Sequence, residues 1–278
     1  MITIDKQPLL KIDEIGSLSD YLSNVQTLKR KVAKAIEVVK AMPINGCITG
    51  SCWLPGFDPD AWGSTPDIDV FVYSEKDLIR AITIAEHTLK MKPGKGTERT
   101  EQQERWKIDR LFKAGLNYKI GITTYTFYAD GIMLNFTFKQ TKQQGHWIPL
   151  VNAASVLMSF DMSIVMQAYD IKSRVMFDLR PADVPVNVAV PNPLRDHDCV
   201  MWTVAKWVRQ FDRVVKYYNR GYDTRPMAKF YLDMIDQCIE AGCLFDSEES
   251  NDAFLAFSQE FMEKRTAIAD WLDSKKED

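Results

Sequence analysis

Four prolines fall between Arg180 and Pro193, at Pro181, Pro185, Pro191 and Pro193. No long helix or central strand runs through such a stretch, because proline lacks the N–H that both ladders need. The chain is therefore expected to change architecture here. Beyond the prolines, apolar residues recur at three- and four-residue spacings, which predicts helices over about 196–220, 226–241 and 248–274, each with a stripe to bury. Before them, short apolar runs bounded by Gly, Pro and Asp alternate with helical patterns. The expectation is an α+β domain over residues 1–180, a mixed sheet flanked by helices, then a linker at 181–193 and a C-terminal helical bundle over 194–278.

Within the first part, Leu18, Tyr21, Leu22, Val25, Leu28, Val32, Ile36 and Val39 keep the period of one helix face, and Pro43 ends it. One opening helix is predicted. Residues 47–54 and 68–73 read as two strands joined by a polar, Gly/Pro-punctuated loop at 55–66. A helix over 76–89, a basic loop at 92–96 and a charged helix over 101–114 follow. Around Ala129-Asp130-Gly131, the runs 119–128 and 132–138 carry a strong hairpin signal. A short helix at 152–158 and a strand pair at 164–170 and 174–179 complete this part.

Composition narrows the class. An apolar content of 46% over 278 residues suffices for a substantial core. Apolar stretches break before the roughly 18 to 20 residues a bilayer span needs, and residues 1–10 show no basic-then-apolar leader. A cytoplasmic protein without membrane contact is expected. Five cysteines without a CxxC pair, and only three histidines, read as free thiols rather than a zinc site. The net charge of −3 argues against a chain coated in nucleic acid. Locally, however, residues 90–142 hold eleven Lys/Arg against five Asp/Glu, an excess suited either to an RNA-facing surface or to a charged helix balanced elsewhere.

The stretch that carries chemistry is Ile48-Thr49-Gly50-Ser51 followed, after the loop, by Asp67-Ile68-Asp69-Val70-Phe71-Val72. Side chains two apart on a strand share a side, so Asp67 and Asp69 present their carboxylates together. Two carboxylates so close repel unless a cation lies between them. Magnesium suits the task, since it takes hard oxygen ligands and is commonly held by one or two carboxylates plus substrate phosphates and water. Gly50 lets backbone N–H groups approach a triphosphate, and Ser51 can donate to a phosphate oxygen. Trp53, Trp62, Phe57 and Trp106 could stack a nucleobase, although packing is the commoner role of such residues. His146 and His197 are available as bases, but metal-assisted chemistry does not require one.

At these residues the chain resembles the polymerase-β-type nucleotidyltransferase superfamily, whose pattern is Gly-Ser after a helix and strand, then Asp-x-Asp at the start of a second strand. Ser159-Phe160-Asp161-Met162-Ser163 and Val215-Lys216-Tyr217-Tyr218-Asn219-Arg220-Gly221-Tyr222 are similar to segments of small viral and bacteriophage members. The resemblance implies a nucleotidyltransferase-type sheet and transfer of NMP from an NTP to a hydroxyl, with Mg2+ or Mn2+ as cofactor and pyrophosphate released. It also implies a third metal-binding carboxylate on a later strand. The best-placed strand offers Asn135 instead, leaving Asn135 as a ligand through its carbonyl, or Asp161 or Asp130 from turns. From the helical part the resemblance implies a cation at the triphosphate, for which Arg209 and Lys216 are the candidates. They belong to a row, Lys206, Arg209, Arg213, Lys216 and Arg220, opposite an expected buried stripe of Val204, Trp207, Val208, Phe211 and Val215. The acceptor is left open between RNA such as a tRNA end, a protein hydroxyl and a small molecule. The rival expectation is an inert NTP sensor or inhibitory binding protein.

Overall fold

A computed structural model describes residues 1–7, 9–94, 122–143, 146–195, 204–240 and 251–275. Among the described residues the protein is α+β, with a nine-stranded mixed sheet and seven α-helices. The chain divides into two units, residues 1–159 with 165–179, and residues 160–164 with 180–278. The predicted helix at 101–114 lies outside the described residues.

The first unit is built on the sheet. Its strands are β1 (Ile2–Ile4), β2 (Gly46–Thr49), β3 (Asp67–Val72), β4 (Lys92–Pro93), β5 (Ile122–Ala129), β6 (Ile132–Gln143), β7 (His146–Pro149), β8 (Gln167–Asp170) and β9 (Val175–Asp178). They run in the order β1-β9-β8-β2-β3-β6-β5-β4, with β7 paired to β6 alone. Only the β3–β6 pair is parallel; the others are antiparallel. Strand β3 shows why sequence alternation matters. Ile68, Val70 and Val72 are buried on one side, whereas Asp67, Asp69 and Phe71 are half-buried on the other. Central β2 is buried along its whole length. The β5–β6 hairpin turns at Asp130 (φ 46°) and Gly131 (φ 82°), the left-handed pair that a two-residue turn requires.

Helix α1 (Leu18–Leu22), α2 (Leu28–Lys40), α3 (Glu75–Thr83) and α4 (Ala153–Met158) belong to this unit. Val32, Ala35, Ile36, Val38 and Val39 of α2 and Leu78, Ala81 and Ile82 of α3 join Ile48, Ile68, Val70 and Phe136 of the sheet in one core. The single opening helix expected at 18–39 is in fact two. Ser23 and Thr27 supply side chains that compete with the helical ladder: Ser23 Oγ donates to the Asp20 carbonyl, and Thr27 Oγ1 accepts from the Arg30 N–H. The exposed N-terminus of α2 is then closed by Asp60, whose carboxylate accepts from the Leu28 and Lys29 N–H groups at 2.8 and 3.0 Å. A long-range cap thus ties the 55–66 loop to α2. The strand expected at 47–54 stops at Thr49, for a reason that belongs to the site below.

The second unit holds α5 (Val204–Tyr218), α6 (Arg225–Glu240) and α7 (Asn251–Ser274), which contact one another pairwise. Among the described side chains of α5, Gln210, Phe211, Val214 and Tyr217 are buried; Phe211 belongs to the expected stripe, and Val215 is half-buried. The side chains of Val204, Trp207 and Val208 lie outside the description. Arg213 reaches inward to Asp161. Its buried carboxylate accepts from Arg213 Nη1 at 2.8 and 2.7 Å and from the Tyr231 hydroxyl at 3.0 Å, and Gln210 Oε1 also accepts from Arg213. The basic row is interrupted there, since Arg213 turns inward. The proline-rich stretch is bonded into this unit: Asn192 N–H donates to the Asp161 carbonyl, Val190 N–H to Ser163 Oγ and Ala189 N–H to the Asp223 carbonyl.

Candidate active site

Strand β2 ends because of Gly50. Its backbone, at φ 89° and ψ −154°, lies in a region that essentially only glycine adopts. The chain then forms a 3-10 turn at Ser51–Trp53. This turn is fastened by the Trp53 indole N–H, which donates to the Ile48 carbonyl at 2.8 Å, and by the Cys52 thiol, which donates to the Thr49 carbonyl at 3.4 Å. Trp53 is therefore part of the scaffold.

The antiparallel register of β2 with β3 sets Thr49 opposite Asp69, so the residues that follow Thr49 meet those that precede Asp69. Buried Ser51 donates its hydroxyl to Asp67 Oδ1 at 2.9 Å. Gly50 lies against Asp69 so closely that a Cβ there would fall 2.5 Å from Asp69 Oδ2. The structure thus brings Gly50, Ser51, Asp67 and Asp69 together. Burial pushes the Cys52 thiol well up, and the negative charges of Asp69 and Asp67 push it further, so Cys52 stays protonated beside them.

Asn135 is the fifth member. Parallel pairing of β3 with β6 places it opposite Asp69, and its side-chain amide donates to Asp69 Oδ1 at 2.9 Å. Its carbonyl accepts from Thr126 Oγ1 at 2.8 Å. The row Thr126, Asn135, Asp69 therefore directs an N–H, rather than an oxygen, at the carboxylate. Thr126 was not anticipated, although a signal existed. A two-residue turn at Asp130-Gly131 pairs Ala129 with Ile132, and counting outward pairs Thr126 with Asn135.

The remaining candidates have surroundings of their own. Asp130 is ion-paired with Lys31 at 2.8 Å. Asp161 belongs to the second unit, where its carboxylate is enclosed by Arg213 and Tyr231. Arg209 and Lys216 are exposed on α5, with Lys216 Nζ 5.8 Å from the Tyr217 ring centroid. Phe57 and Trp62 of the loop pack edge to face at 5.3 Å. His146 is exposed on β7, and Trp106 and His197 lie outside the described residues.

A hard divalent cation fits the donor set, which is two half-buried carboxylates on one strand face with a hydroxyl beside them. Among the described residues no group of three or more His, Cys, Asp or Glu gathers to hold a metal. For an ion bound there, Asp67 and Asp69 would be the ligands the described residues offer, and phosphate oxygens and water would complete the shell. Among the described residues, too, no helix is long and apolar enough to cross a membrane. No protein-family model matches the chain, and no curated protein matches it.

Proposed function

We propose that the first unit is a nucleotidyltransferase-type catalytic unit that binds a magnesium- or manganese-bound nucleoside triphosphate and transfers its NMP to a hydroxyl. The observation that carries this reading is the convergence of Gly50 and Ser51 on Asp67 and Asp69 from opposite sides of a 16-residue separation, with Ser51 Oγ bonded to Asp67 at 2.9 Å. Gly50 keeps the strand end bare, so that backbone N–H groups can meet phosphate oxygens. Ser51 orients Asp67 and can exchange that bond for one to a phosphate. Asp67 and Asp69 hold the charge that anchors the nucleotide's cation. When bound, a divalent ion supplies charge neutralisation at the phosphates and acidifies the attacking hydroxyl.

In the reaction the acceptor oxygen bonds to the α-phosphorus as the bond from that phosphorus to the bridging α–β oxygen breaks. Pyrophosphate leaves, and the acceptor's proton passes to solvent. The acceptor is a hydroxyl of RNA, such as a tRNA end, or of a protein, in a cytoplasmic setting. A second reading, an NTP-binding sensor or inhibitory protein without transfer, is favoured by one observation: Asn135 points an amide N–H at Asp69 where a further oxygen ligand would aid deprotonation of an acceptor.

Incubation of the full chain with each α-labelled NTP, Mg2+ or Mn2+, and total RNA or protein separates the two. Label passing into one acceptor class, and lost in Asp69→Ala, is the expected result. Binding without label in any acceptor replaces the transferase with the sensor.

A further inference from the structure

We infer that Asn135, held by Thr126, limits this site to a single divalent cation. The inference rests on the proposed reading that Asp67 and Asp69 bind a cation, and deepens it. Asn135 sits in register with Asp69 on the neighbouring parallel strand, the place from which a third side chain reaches the same carboxylate. What it presents there is an amide N–H at 2.9 Å from Asp69 Oδ1, the positive end of a dipole. The amide oxygen, on the far side, accepts from Thr126 Oγ1 at 2.8 Å across the hairpin. Reversal would set the Asn135 oxygen against the Asp69 carboxylate in place of a hydrogen bond. Without nucleotide, two carboxylates carry the charge to balance one divalent ion, and a second ion needs a further anionic ligand from the protein. Among the described residues no third His, Cys, Asp or Glu joins them. Asn135 is thus a positioning residue that both orients Asp69 and holds the place of a further ligand.

The test counts Mn2+ bound by the full chain, using loss of the free-ion electron paramagnetic resonance signal, for wild type, Asp69→Ala and Asn135→Asp. Sites are scored as those lost in Asp69→Ala, and circular dichroism in the presence of Mn2+ reports folding. One such site in wild type and two in Asn135→Asp is the expected result. Two sites in wild type overturn the inference outright, whether or not Asn135→Asp folds. One site in both proteins overturns it while leaving the cation reading intact. The lack of an Asp69-dependent site in wild type overturns the inference, and the cation reading then rests on Mg2+-dependent NTP binding.

Discussion

Replacing Gly50 by alanine is expected to cost about 2–3 kcal/mol of stability, the scale of a residue forced into a glycine-only backbone region, and to weaken binding of Mg2+-NTP by at least about tenfold. Two independent effects act at this residue. The φ of 89° and ψ of −154° strain any side chain, and the new Cβ would meet Asp69 Oδ2 at 2.5 Å. Relief requires Asp69 to rotate away or the turn at Ser51–Trp53 to shift, and either movement breaks the convergence with Asp67. Gly16→Ala is the control, since Gly16 also has positive φ, 69°, but nothing lies within 4 Å of its added Cβ. That variant should lose about 1 kcal/mol, the usual left-handed penalty, with NTP affinity unchanged. Denaturant unfolding and equilibrium NTP binding on both variants check the pair. Gly50→Ala that matches wild type in both measurements would show that the close approach to Asp69 has no consequence.

The second large effect lies at Asp161. Removal of this buried carboxylate in Asp161→Ala leaves the Arg213 guanidinium and the Tyr231 hydroxyl without their shared acceptor. Breaking a buried pair from one side costs about 3–5 kcal/mol, and the low end is expected because 29% of the Arg213 side chain is exposed. The double variant Asp161→Leu with Arg213→Met should recover much of the loss, because the cost arises from the stranded charge rather than from an absent attraction. Burial works to raise the Asp161 carboxyl, but the Arg213 charge and hydrogen bonds, with the Tyr231 hydroxyl, outweigh it and hold the group below the usual carboxylate range. A depressed folded-state value means that the contribution is fully present above the unfolded value, about 3.9, and is lost as pH falls through the folded one. The stability gap between wild type and Asp161→Asn should therefore be constant at neutral pH and close on the acid side of about pH 4. Urea midpoints across pH measure it; a gap that persists unchanged into strong acid would remove the ion pair as its cause.

Local physics made much of the first unit legible. Alternation in Asp67–Val72 identifies a half-buried strand, and the Asp130-Gly131 turn pins the β5–β6 register to the residue. Glycine followed by serine at a strand end marks where Gly50 must depart from the sheet. What local pattern does not specify is pairing between distant segments. The parallel register of β3 with β6, which sets Asn135 opposite Asp69, is closed by no turn between them. The cap that Asp60 places on α2 spans 32 residues, so periodicity alone ran the opening helix through Ser23 and Thr27. Arg213 looks like one more exposed cation on a helical face until Asp161, 52 residues earlier, turns it inward. The segment around Asp161 thus meets Arg213 and Tyr231 in the second unit's buried polar centre. Asp161 is explained there as an anchor.

Under the proposed function, the four converging residues hold a cation-bound triphosphate. Equilibrium binding of each NTP to wild type and Asp69→Ala, with Mg2+ and with a chelator, addresses it without dependence on the acceptor. Saturable binding that requires Mg2+ and weakens by about a hundredfold in Asp69→Ala, some 2.7 kcal/mol, is the expected result. Binding that survives the chelator, or that Asp69→Ala retains at full strength, would contradict it.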